Sequence, residues 1–202
     1  KRFKAVISVY GCGFLSSGDD SVSFHQMYND TMPWWDPSHF LPQVDTPFFW
    51  IGSTNDEAFS PDMWQKSIHA TPGTKAQSLV VNLGHSDGGQ TYPMVTRITE
   101  AILREGPKLP RLERPEVHDQ KVSVKYQAER PLVRAELCFT TDRAERAKRV
   151  WQTVPAQLDA NEVGAELVDG VVAFYINVYD EEGPVAPDGS VWPVSSEYIE
   201  MP

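Results

Sequence analysis

The stretch from Thr46 to Gly89 limits what this chain can fold into more than any other. Phe48-Phe49-Trp50-Ile51-Gly52 is an unbroken apolar run, the pattern of a strand covered on both faces, as in a parallel sheet flanked by helices. It ends in the polar turn Ser53-Thr54-Asn55-Asp56. Ser60-Pro61-Asp62 then opens a helix, with serine as N-cap, proline at the first helical position and an acid in the first turn. Trp64 and Ile68, four apart, give that helix a buried side, and Pro72-Gly73 stops it. A second apolar run, Leu79 to Leu83, leads into Gly84-His85-Ser86-Asp87-Gly88-Gly89.

Two successive strand ends therefore carry an acid and then a histidine. In a parallel α/β sheet, chemistry collects outside the carboxyl ends of the strands. Asp56 and His85 fit the orienting acid and general base of a serine hydrolase, in the chain order Ser…Asp…His. The competing reading of Asp56 is a surface acid ahead of a helix, and of His85 a hydrogen-bonded loop histidine. Glu57 is the nearest rival for the acid. A metal site from Asp56, His85 and Asp87 is the weaker alternative, because no His-x-x-x-His or Cys-x-x-Cys spacing supports it. No cofactor is expected.

The serine that should precede both residues is missing, since no Gly-x-Ser-x-Gly occurs ahead of Asp56. The chain starts at Lys1, directly into the strand-like run Phe3 to Tyr10. The expectation is a C-terminal portion of a larger hydrolase, cut upstream by proteolysis or design, whose partner is the missing N-terminal half. Cys12, between Gly11 and Gly13, is the other nucleophile to weigh. The elbow requires glycines two positions either side, and no helix pattern follows, so a buried thiol is the better reading.

Residues 15 to 44 lack a strong period and are rich in rings, among them Phe24, His25, Tyr28, Trp34, Trp35, His39 and Phe40. A long connection of this kind is usually a lid or binding element. Phe24, Met27 and Tyr28 would share a face of a short helix over Ser21 to Asn29. Trp34, Trp35 and Tyr10, the last at the end of the first strand, are the candidate substrate contacts; packing on the sheet is their bland alternative. Val95, Ile98 and Ile102 predict a helix over Gln90 to Glu105, ended by Gly106-Pro107.

Prolines at 107, 110 and 115 then mark a linker. From Glu116 the apolar period becomes two, as in Val122-Ser123-Val124-Lys125-Tyr126 and Ala135-Glu136-Leu137-Cys138-Phe139. The organisation expected is residues 1–113 as the C-terminal part of an α/β-hydrolase domain, with a mostly parallel sheet and flanking helices. Residues 114–202 would follow as a small all-β sandwich of fibronectin or immunoglobulin type. The formal charge is −10, which argues against nucleic acid or an anionic membrane surface as partner. Two cysteines say little about redox compartment, no apolar run reaches the length of a membrane span, and localisation stays open.

Arg2 to Phe14, with Asp36-Pro37-Ser38, Gly52 to Asp56 and the Gly84 to Gly89 loop, resembles the C-terminal half of α/β hydrolases of the acetyl xylan esterase and prolyl-oligopeptidase-like group. The resemblance covers residues 1 to 106, and the β-rich tail resembles the accessory module of some members. It implies acyl transfer through a serine outside this chain, with Asp56 and His85 as acid and base. The substrate implied is a small ester, an acetylated saccharide among the options, and the chain alone would be inactive. A prolyl-oligopeptidase-type peptidase is the alternative enzyme. A non-catalytic hydrolase-like scaffold with a glycan-binding or adhesion module is the alternative outside enzymes.

Overall fold

A computed structural model describes residues 2–17, 32–86, 88–181, 183, 185, 189 and 191–202. The expected helix over Ser21 to Asn29, with Phe24, His25, Met27 and Tyr28, lies outside the described residues, as does Asp87.

The first layer is a parallel sheet of β1 (Val6–Val9), β2 (Phe48–Ser53) and β3 (Thr74–Val80), with β2 in the centre. A helical turn, α1 (Met32–Trp35), lies in the first connection and α2 (Pro61–Ala70) in the second; α3 (Pro93–Leu103) follows β3. The rest is antiparallel. One sheet runs β4 (Arg111–Leu112), β6 (Lys121–Gln127), β10 (Glu162–Glu166) and β9 (Gln157–Leu158), with β5 (Glu116–His118) also paired to β6. The other runs β12 (Val194–Ser195), β11 (Ala173–Asp180), β7 (Leu132–Thr140) and β8 (Gln152–Pro155), with β13 (Ile199–Glu200) also on β11.

This overturns the expected α/β-hydrolase fold with a mostly parallel sheet. Among the described residues, parallel pairing stops at three strands, three α-helices are present, and the two larger sheets are antiparallel. The physical reason lies in β11. Its residues Ala173 to Asp180 are all buried, although Asn177 and Asp180 interrupt the apolar run, and the strand pairs antiparallel with β7 and β12. Such a run reports burial on both faces and leaves strand direction open.

Both strands alternate between two cores. Phe49 and Ile51 of β2 join Phe174 and Ile176 of β11 in one, with Met94 and Ile98 of α3, Val124 of β6 and Leu137 of β7. Phe48 and Trp50 join Ala173 and Tyr175 in the other, with Met63, Trp64 and Ile68 of α2, Cys12, Cys138 and Trp151. Gly52 is required where β2 meets α2, since a Cβ there would lie 2.7 Å from Trp64 Cε2.

Polar side chains join the layers. The Leu79 N–H of β3 donates to Ser195 Oγ of β12 at 2.8 Å, and Ser195 Oγ donates to Asn177 Oδ1 at 2.6 Å. Asp180 of β11 holds Arg97 of α3 with both carboxylate oxygens.

Several element bounds also move. The helix expected from Gln90 starts at Pro93, because the residue before a proline is pushed out of the helical region and Tyr92 is extended, at φ −64° and ψ 138°. The strand expected at Leu79 to Leu83 is Thr74–Val80, since its ladder with β2 ends at the Ser53–Val80 pair and Asn82 turns away at φ 55°. Ser60 does N-cap α2, but its hydroxyl donates to Asp62 Oδ1 at 2.6 Å and no backbone N–H reaches its side chain.

Candidate functional site

The carboxyl ends of β2 and β3 are adjacent, and the turns leaving them meet. Asp56 is 1% exposed. Its Oδ1 accepts the backbone N–H of Ala58 at 2.7 Å and of Phe59 at 3.0 Å, the local turn that aspartate favours. Its Oδ2 lies 3.0 Å from His85 Nδ1. A carboxylate only accepts, so the shared proton belongs to Nδ1 and leaves Nε2 as the basic nitrogen. The imidazole side chain is 42% exposed.

Tyr10 stacks on that imidazole with ring centroids 4.5 Å apart and planes 23° apart, and Phe59 lies near-parallel to it at 5.9 Å. The Tyr10 hydroxyl donates to the Gly84 carbonyl at 2.8 Å and meets the Tyr92 hydroxyl, which in turn is 3.0 Å from Ser86 Oγ. Burial, and then the Tyr92 hydroxyl, push the Tyr10 phenol well above its ordinary value. Tyr10 has φ 64°, a left-handed conformation that costs a bulky residue about 1–3 kcal/mol and persists only where surrounding contacts enforce it. Here the β1–β2 ladder, the Gly84 carbonyl and the His85 ring supply those contacts.

The sequence-derived candidates divide. Asp56, His85 and Tyr10 come together. Trp35, 52% exposed, lines an apolar groove of about 390 Å³ with Cys12, Leu41, Phe48, Trp50 and Phe59, so the groove shares Phe59 with the imidazole stack. Trp34 is 80% exposed and is not among the groove walls. Cys12 is buried, and desolvation pushes its thiol well above the ordinary range. Glu57, the rival acid, is exposed. Among the described residues no group of three or more His, Cys, Asp or Glu side chains could hold a metal ion, and no helix is long and apolar enough to cross a membrane.

Phe59, Tyr92 and Asn55 were not singled out from the sequence. Phe59 carried a usable signal, an aromatic just ahead of the Ser60-Pro61 helix start. Tyr92 reaches Tyr10 across 82 positions, and nothing local announces that.

The model of the PhoPQ-activated pathogenicity-related protein family matches residues 16–149. The chain belongs to that family. No curated protein and no solved structure matches the chain significantly. The match spans about two-thirds of the chain and includes Asp56 and His85.

It also corrects the resemblance stated from the motifs. The family found is not the acetyl xylan esterase and prolyl-oligopeptidase-like group, and the fold is mainly antiparallel. The serine carboxylesterase reading loses the family it rested on. So do its peptidase variant and the alternative of a hydrolase-like scaffold with a glycan-binding or adhesion module. Short motifs around a carboxylate and a histidine specify a hydrogen bond, and they do not by themselves specify a nucleophile or an acyl group.

Proposed function

We propose that this family member carries a general acid–base centre, in which His85 exchanges a proton with a bound ligand at Nε2 while Asp56 holds Nδ1. The observation that carries the reading is the 3.0 Å contact between a carboxylate 1% exposed and an imidazole that stays accessible. A carboxylate so placed fixes the tautomer and stabilises the imidazolium formed when Nε2 takes a proton. Tyr10 and Phe59 hold the ring plane, and Tyr10 also fastens the Gly84 carbonyl beside it. The groove walled by Trp35, Leu41 and Phe59 would receive an apolar portion of the ligand. The proton exchanged is that of a hydroxyl group or water next to that portion.

Two measurements test this. Nitrogen-15 NMR should find His85 protonated on Nδ1 in the neutral ring, and Asp56→Asn should abolish that preference. In a turnover screen of small hydroxyl-bearing and carbonyl-bearing compounds with an apolar group, His85→Gln should lose about 10²–10⁴-fold in rate. Trp35→Ala should raise KM with little change in kcat. A neutral ring protonated on Nε2, or turnover unchanged in His85→Gln, would overturn the proposal.

A further inference from the structure

Asp56 sits in a turn that β2 alone does not hold. The residue before it, Asn55, is half-buried, and each polar atom of its side chain has a partner. Its Oδ1 accepts the Thr54 hydroxyl at 2.5 Å. Its Nδ2 donates to two carbonyls, Ala147 at 3.0 Å and Arg149 at 2.8 Å, more than 90 positions away. Carbonyls cannot donate, so only this orientation of the amide satisfies all three contacts.

The segment that Asn55 grips is itself braced. It connects β7 to β8 through a 3₁₀ turn, Arg146–Lys148. The Arg149 side chain, 9% exposed, donates to the Ala144 carbonyl at 3.1 Å and to Glu200 Oε1 at 2.9 Å. Arg146 donates to Glu200 Oε2 at 2.7 Å, and the Thr140 hydroxyl donates to the Val150 carbonyl at 2.7 Å. On its other side the turn reaches the histidine loop, since the Asn82 N–H donates to Thr54 Oγ1 at 3.1 Å. Thr54 and Asn55 thus join three segments: the acid turn, the exit of β3 and the β7–β8 connection.

We infer that Asn55 is a positioning residue for the Asp56–His85 pair, and that the β7–β8 connection acts as a buttress setting where the carboxylate stands. The inference rests on the proposed acid–base reading, and it gives the antiparallel part of the chain a direct role in the site. A carboxylate moved out of hydrogen-bond reach of Nδ1 no longer selects that tautomer, because the Nδ1 contact is what fixes it.

The test replaces Asn55 by Ala and, more mildly, by Ser, which keeps a hydroxyl but cannot span both carbonyls. The readout is the His85 tautomer by nitrogen-15 NMR. Ile98→Val serves as a control that lowers thermal stability in the core away from the turn. In the Asn55 variants the Nδ1-protonated form should fall from the dominant species to a minority, while Ile98→Val keeps it. Retention of the wild-type tautomer in a folded Asn55 variant would overturn the inference. Absence of the Nδ1-protonated form in the wild type would instead overturn the reading beneath it.

Should neither variant fold, native-state hydrogen exchange on the wild type decides. The Ala58 and Phe59 amides held by Asp56 should open with the same free energy as the Lys148 and Arg149 amides. Independent, faster exchange at Ala58 and Phe59 would overturn the buttress.

Discussion

The ion pair between Arg97 and Asp180 ties α3 to the central antiparallel strand and offers the sharpest test of how the layers hold together. Asp180 is 1% exposed at its side chain and Arg97 13%, and both carboxylate oxygens face the guanidinium. Arg97→Met removes the cation that faces both oxygens of the buried carboxylate. Breaking a buried pair by removing one partner costs about 3–5 kcal/mol, mostly the penalty of the stranded charge. At about 2–4 °C per kcal/mol for a chain of this size, the melting temperature should drop by about 6–20 °C. Asp180→Asn should cost less, because the charge that loses Asp180 is on the more exposed Arg97, whose flexible arm can turn toward water. The double variant Arg97→Met/Asp180→Leu, which removes both charges, should recover most of the loss. Urea unfolding followed by tryptophan fluorescence, with paired calorimetry, would measure all three. A loss below about 1 kcal/mol for Arg97→Met, within the range of surface ion pairs, would refute the reasoning. So would a double variant as unstable as the single one.

Two further outcomes are expected. Gly52→Ala forces a Cβ to 2.7 Å from the Trp64 ring in a core where Trp64 is 1% exposed, and should cost about 1–3 kcal/mol by overpacking; urea unfolding unchanged from wild type would contradict this. The second concerns alkaline pH. Burial pushes the Cys138 thiol from 9.0 up to about 11, so between these values the unfolded chain has lost a proton that the folded chain keeps. Stability is then fully present below about pH 9 and falls above it, by about 1.4 kcal/mol per pH unit for this thiol. The buried Cys12 and the phenols of Tyr175, Tyr179 and Tyr198, raised first of all by desolvation, act in the same direction. Urea midpoints should therefore decline steadily from pH 9 to 10.5, and less so in Cys138→Ala. A flat profile would exclude it.

Part of the architecture is written locally. Phe48 to Gly52 reads as a strand buried on both faces, and Ser60-Pro61-Asp62 as the start of a helix. Val122 to Tyr126 alternates because one face of β6 meets the core and the other does not. Asp56 and His85 stood out because each follows an apolar run by a few polar residues, a spacing set by the chain itself.

Other features were decided in three dimensions. Whether an apolar run pairs parallel or antiparallel depends on its neighbours in space, and β2 and β11, both buried along their whole length, pair in opposite senses. The partners of Asn55 and of Tyr10 are also illegible in the sequence, because hydrogen-bonding side chains are common and their mates lie 74 to 94 positions away. The sequence by itself determined that apolar runs such as Phe48 to Gly52 leave water and that strands and helices form around them, since those follow from side-chain polarity and local backbone preference. Only the tertiary structure decided strand direction, the meeting of Asp56 with His85, and the grip of the β7–β8 connection on the acid turn. Each of these is a contact between distant segments, and local preferences are blind to contacts that exist only once the layers have packed.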